Sequence, residues 1–222
     1  MVRSGFDPTA IQVIPNFLDH RLFPSEPVPW LERKAIVFIG RMTRAKGIFE
    51  VLEIAKRMPK EHFTMYGPFE SDALQLEFQK YLALVPNVQW LGPIQGGEKI
   101  KAIAEAKMTI LPSQTEVFPM SILESSFCHT VSAITPVGMV PDLLEDGVDG
   151  LFLRWGDPDY NAVQIKELLK YPLHVMKMGA MAHNRAVNAY SLEGVQPRLT
   201  EIILTEASKA HSKKSDGQTS SK

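Results

Sequence analysis

The sequence predicts an α/β domain, a doubly wound and mainly parallel sheet covered by helices on both faces. Three observations lead there. Short apolar runs containing β-branched residues recur along the chain. Each is followed by a stretch with apolar residues at helical spacing. Glycine or proline marks most of the changes from one to the other. Such an alternation builds βαβ units with right-handed crossovers.

The elements follow in order. Residues 1–34 are rich in proline, hold one short apolar run, "IQVIP", and read as a linker or inter-domain segment. The first strand is "AIVFIG", residues 35–40, closed by a glycine. The next segment, "GIFEVLEIAKRM", repeats Ile48, Val51, Leu52 and Ala55 on one helical face. "HFTMYG" and "DALQLEFQKYLALV" form the second strand–helix pair, and "VQWLG" and "EKIKAIAEA" the third. "KMTILPS" is the fourth strand, followed by a helix over 119–128 with Met120, Leu123 and Phe127 on its buried side. "TVSAITP" leads to a short helix over 141–145, and "GLFLRW" is the last strand before three closing helices. The domain spans residues 35–207, and the low-complexity segment 208–222 is expected to lack order.

Composition removes several classes of function. The chain has 222 residues, 45% hydrophobic and 22% charged, enough for one sizeable core. Its net charge is -1, of which the last fifteen residues contribute +3 and the body therefore -4. A body of that sign, without aromatic residues interleaved with basic ones, is a poor nucleic-acid binder. The single cysteine, Cys128, admits no intrachain disulfide and reads as a small buried hydrophobe. No run is long and apolar enough for a transmembrane span, so a cytoplasmic location is expected. The six histidines are scattered, and no set of His, Cys and carboxylates has the spacing of metal ligands.

Sheets of this kind take ligands at the carboxyl ends of their strands. The first strand ends in "GRMTRAKGIFE", which is neither a phosphate loop of the GxxxxGK type nor a GxGxxG fingerprint. It does place Gly40 in a turn, Arg41 and Arg44 behind it, and Lys46 at the opening of a helix. Cations there oppose the helix dipole, so an anion should offset them, and a diphosphate would do so. The alternative is that they are solvated surface charges. The fourth strand ends in "LPSQTEVFP", with Pro119 suited to the start of a helix. The amides of Met120 and Ser121 then face the same mouth as the cations and form an anion pocket. Glu116 lies ahead of that helix and Glu124 on its second turn. Two carboxylates beside an anion site suit the hydroxyls of a nucleotide sugar. For Glu124 the alternative is a solvated charge at a helix edge. The fifth strand ends in "TPVGMVPD", where Gly138 permits close backbone approach.

Five segments in order, "VIPNFLD", "VFIGRMTRAKG", "VQWLG", "ILPSQTEVFPMSILESS" and "TPVGMVPDLLEDGVDGLFL", resemble the second half of the retaining glycosyltransferases of family 4. Those enzymes have the GT-B fold, in which two Rossmann-like domains face each other. Glu116 and Glu124 stand at the spacing of that family's E-x7-E motif. The resemblance implies a donor-binding domain for a nucleoside diphosphate sugar, with Arg41 and Lys46 on the diphosphate. It implies Glu124 on the ribose hydroxyls, Glu116 facing the sugar in a catalytic position, and Leu91, Gly92 and Pro93 lining the base. The amides of Met120 and Ser121 would support the phosphates, and no cofactor or dedicated metal site is implied. Pro119 stands where the family commonly has glycine, which removes one donor amide, and His129 replaces a small residue. In the family "VIPNFLD" follows a complete N-terminal domain, whereas here it begins at residue 13. The expectation is therefore half of a GT-B enzyme, present as a truncated copy, a fragment, or one half of a two-chain enzyme whose N-terminal domain is a separate partner. Hexosyl transfer would depend on that complement, and attachment at a membrane periphery would come through a partner or a lipid acceptor. The alternative is a non-catalytic interaction module.

Overall fold

Strands β1 (Ile36–Ile39), β2 (Phe63–Tyr66), β3 (Val88–Trp90), β4 (Met108–Leu111), β5 (Ser132–Ile134) and β6 (Gly150–Phe152) form one sheet in the computed structural model. The structure describes residues 11–218, with side chains through residue 208. The strand order is β3-β2-β1-β4-β5-β6 and every pairing is parallel. Ile36 of β1 lies opposite Phe63 on one side and Met108 on the other. The chain therefore moves outward from β1 through β2 to β3, returns, and starts again at β4. At the carboxyl ends of β1 and β4, where the strand order reverses, a crevice opens.

The helices are α1 (Ile48–Lys56), α2 (Asp72–Leu82), α3 (Gly96–Ala104), α4 (Met120–Phe127), α5 (Val140–Leu143), α6 (Pro158–Leu169), α7 (Pro172–Tyr190) and α8 (Leu192–Gln218). All six expected strands and their intervening helices are present. The strands are short and apolar because both sheet faces are covered. In β1, Ile36 and Phe38 enter the larger core with Ile48, Val51 and Leu52 of α1. Val37 and Ile39 point the other way, into a smaller core with Ile103 and Ala104 of α3. Side chains that alternate between two cores are what a central strand requires.

The structure departs from the sequence reading at three places. First, the described part of the segment read as a linker is fastened to the body. Leu18 pairs with Ser191, its N–H donating to the Tyr190 carbonyl at 3.0 Å. Phe23 stacks on Phe127 with ring centroids 5.2 Å apart. Arg33, 5% exposed, donates to the carbonyls of Val28, Ala106 and His129 at 3.0, 3.0 and 3.2 Å. Residues 1–10 of that segment lie outside the described residues. Second, α8 continues to Gln218, into the segment 208–222 expected to lack order. Third, α4 is buried almost all round. It lies between α3 and α7, so Ser125 and Ser126 are buried along with Ile122, Leu123 and Phe127. Each serine hydroxyl is satisfied by the carbonyl four residues back, Ser125 on Ser121 at 2.6 Å and Ser126 on Ile122 at 3.1 Å. Met120, expected on the buried side, is only half-buried at the helix mouth.

Candidate functional site

The crevice between β1 and β4 is built by loops that are locked to each other. Thr43 accepts from the Lys46 amide at 3.2 Å, which closes the tight turn carrying Lys46. Gly47 follows with φ 76°, and a Cβ there would lie 2.0 Å from the Pro112 carbonyl oxygen. The loop after β1 can therefore sit directly on the loop after β4 only because residue 47 has no side chain. The Gln114 amide donates to the Ala45 carbonyl at 2.7 Å across the same junction. Gly138, with φ 60°, fixes the other side: a Cβ there would lie 1.9 Å from the Glu116 carbonyl oxygen. The close approach expected of Gly138 is thus an approach to the backbone of Glu116 itself.

These loops bring Gly40, Arg41, Lys46, Glu116, Met120 and Ser121 to the wall of one cleft, about 390 Å³ in volume. Lys46 Nζ donates to Glu116 Oε1 at 2.7 Å and to Oε2 at 2.6 Å. The Ser113 hydroxyl donates to Oε1 at 2.7 Å. The Glu116 side chain is 4% exposed and that of Lys46 31%. The anion that offsets Lys46 at this helix entry is thus Glu116, a pairing across seventy residues that strand-end reading does not supply. A Lys ammonium carries three protons, so the pair still leaves a donor. Arg41 is exposed at the rim, and none of the described carboxylates pairs with it. Arg44 faces away, bound to Glu77 and lying over the Phe49 ring at 4.8 Å. At the start of α4 the first intrahelical bonds are donated by Ile122 and Leu123 to Pro119, which leaves the amides of Met120 and Ser121 free at the positive helix end.

Glu124 is not in this cleft, and the picture of two glutamates flanking one pocket needs correction. One turn further along α4, Glu124 faces α3 and pairs with Lys99, with Nζ 2.7 Å from Oε1 and 2.6 Å from Oε2. The angle admits a hydrogen bond at Oε1 only, so Oε2 makes an ion contact without one. The two residues line a neighbouring cleft of about 320 Å³ with Phe23 and Ile94. Lys99 escaped the sequence reading although its signal was there: a cation in the first turn of α3, against the dipole, as at Lys46. Leu91 lines a third cleft, of about 420 Å³, with Tyr66, Pro93 and Ile94. Gly92 sits beside it with φ 80°, its carbonyl accepting from the Gly67 amide at 2.9 Å. Ile94 belongs to both the second and third clefts, which therefore adjoin at the carboxyl edge of the sheet.

Two buried groups near α4 stand apart from these clefts. The Cys128 thiol is fully buried and burial pushes it up to about 12, so it stays protonated. His129 occupies the turn after α4 with φ 54°, and its ring stacks on His183 at 3.6 Å. Burial, with the neighbouring His183 second, lowers it to about 4. Among the described residues, no three His, Cys, Asp or Glu side chains gather as metal ligands would, and no helix is long and apolar enough to cross a membrane.

An α/β sheet with strand order 3-2-1-4-5-6 and a crevice at its switch point defines a Rossmann-like domain. The chain belongs to the glycosyl transferases group 1, whose family profile matches residues 25–185. It is 29% identical over 214 residues to a phosphatidylinositol N-acetylglucosaminyltransferase subunit from Arabidopsis thaliana, covering 94% of this chain and 47% of that protein. It is 24% identical over 222 residues to the alpha-maltose-1-phosphate synthase of Mycolicibacterium smegmatis, covering 89% of this chain and 57% of the relative. The chain thus spans about half the length of the curated relatives it matches. Its fold is shared with Anabaena Alr3699/HepE solved in complex with UDP-glucose, with a TM-score of 0.80, 17% identity, and coverage of 92% of this chain and 60% of that one. It is also shared with the C-terminal domain of the glycosyl transferase group 1 family protein LpcC from Francisella tularensis, with a TM-score of 0.68, 16% identity, and coverage of 79% and 99%.

Proposed function

We propose that this domain is the donor-binding half of a retaining glycosyltransferase of the family 4 type and that it binds a nucleoside diphosphate sugar along the carboxyl edge of its sheet. One observation carries the reading: Arg41, Lys46, Glu116 and the free amides of Met120 and Ser121 converge on the crevice between β1 and β4. The diphosphate lies against Arg41, the third proton of Lys46, and the positive end of α4, which together offer charge and directed N–H groups. The sugar extends toward Glu116, whose carboxylate accepts its hydroxyls. The nucleoside lies on the far side of α4, where Glu124 takes the ribose hydroxyls and Leu91, Gly92 and Pro93 flank the base. The separation of Glu116 and Glu124 into different clefts at the two ends of α4's first two turns suits a ligand whose two hydroxyl-bearing ends are joined by a diphosphate.

The acceptor is held by a facing domain. The name of the Arabidopsis relative supports a lipid-linked acceptor reached from the membrane periphery. A cytoplasmic location fits a chain whose one cysteine is a buried free thiol. Titration calorimetry with UDP-, GDP- and ADP-sugars tests the donor reading. Binding of at least one of them, lost in Arg41→Glu, is the expected result. No heat from any of them at millimolar concentration would refute it.

A further inference from the structure

We propose that Ser113 is the positioning residue of the sugar-facing carboxylate, fixing Glu116 so that Oε2 is left to accept a hydroxyl of the donor sugar. This rests on the donor reading above. Each carboxylate oxygen offers about two acceptor sites. Oε1 is filled by the Ser113 hydroxyl at 2.7 Å and Lys46 Nζ at 2.7 Å, whereas Oε2 meets only Lys46 Nζ, at 2.6 Å. The last torsion of a glutamate is broad and nearly two-fold, so packing alone does not distinguish the two oxygens. The serine proton does.

Ser113 can act this way because it is itself held from two strands. It is fully buried. Its amide donates to the Leu111 carbonyl at 2.8 Å at the end of β4. Its carbonyl accepts the hydroxyl of Thr135, beyond the end of β5. A chain of contacts thus runs from β5 through Thr135, Ser113 and Glu116 to Lys46 beyond β1, across the switch point. The hydroxyl has one proton, and Glu116 receives it.

The test compares Ser113→Ala with the wild-type chain, using UDP, GDP and ADP and their glucose esters in calorimetry. Loss of one charge-assisted bond should weaken the sugar-bearing ligand by roughly tenfold while the matching nucleoside diphosphate changes less than twofold. A merely structural serine would move both ligands together, along with the unfolding temperature, and that result, or no change in either ligand, overturns the proposal. The Glu116 Cδ resonance in carbon-labelled protein gives a readout free of ligand, and it should move in Ser113→Ala. If the wild-type chain binds none of the six ligands, the donor reading fails. An unmoved Cδ resonance would then overturn the positioning of Glu116 by Ser113 too, whereas a shifted one would sustain that positioning and overturn only the sugar-hydroxyl role of Oε2. Should Ser113→Ala not fold, Ser113→Cys, which is somewhat larger but keeps the shape and donates weakly, is read in the same two ways.

Discussion

Lys46 and Glu116 neutralise each other, so their variants should not mirror one another. With the donor placed as proposed, Glu116→Gln removes an acceptor for the sugar but releases Lys46 toward the diphosphate. It should weaken a nucleotide sugar by about 1.5–3 kcal/mol and leave the free nucleoside diphosphate equal or tighter. Glu124→Gln should weaken both ligands alike, because each carries the ribose. Calorimetry on the two variants with one matched ligand pair separates these outcomes, and equal losses for both variants with free nucleotide would refute the assignment of ends. His129 supplies a different residue-scale test. Its ring is neutral when folded and takes up a proton on unfolding, since its folded value of about 4 lies below the ordinary 6.5. Its contribution is therefore complete above pH 6.5 and is lost as pH falls toward 4. His183, which is also lowered by burial, and the nearby Arg33 add to the cost of charging it. The unfolding temperature should fall through that window more steeply than in His129→Asn, where the side chain tolerates a positive φ and carries no charge. At this scale the sequence shows where Arg41, Lys46, Met120 and Ser121 stand, because each lies at a strand end or helix start that periodicity locates. The Lys46–Glu116 and Lys99–Glu124 pairs are not legible there. They depend on which loops touch, and that contact is set by backbone approaches such as Gly47 on Pro112.

At the scale of elements, α4 connects the core to both clefts. Its Phe127 is fully buried and stacks on Phe23. Phe127→Ala should cost about 3–5 kcal/mol in denaturant unfolding, the range for a buried aromatic ring. The loops depend on glycine in a different way. Gly138→Ala combines a positive φ with a collision against the Glu116 carbonyl. It should cost more than about 1 kcal/mol and weaken nucleotide-sugar binding by displacing Glu116. The alternation of strands and helices was readable because each buried strand is a short apolar run and each helix carries an apolar stripe. The burial of Ser125 and Ser126 was not, since a polar residue on a helix is assigned to solvent unless a second helix is known to cover it.

For the whole molecule, strand order decides where chemistry can occur: the reversal between β1 and β4 opens one crevice, and the cationic and amide groups gather there. The sequence implied a doubly wound sheet but not which strands adjoin, since pairing between distant segments leaves no local pattern. The described residues hold one such sheet, and one sheet presents a donor without a facing wall to orient an acceptor. Near-attack alignment supplies several kcal/mol of a transfer barrier. A polypeptide of these 222 residues alone is therefore expected to bind donor without transferring sugar, and to gain activity only when a second Rossmann-like domain is supplied. Radiolabelled donor with lipid and oligosaccharide acceptors would reveal turnover by the chain alone if this is wrong.

The most direct test of the account is the location of the ligand, read by titrating a nucleoside diphosphate sugar into nitrogen-15-labelled chain and following backbone amides. The crevice between β1 and β4 predicts saturable shifts that include Gly40, Arg41, Lys46, Met120 and Ser121, with a second group at Leu91 and Gly92. Shifts confined to the groove of Arg57, Lys60, Lys166 and Lys170 between the ends of α1 and α6, a second hollow with cations in its wall, would contradict it.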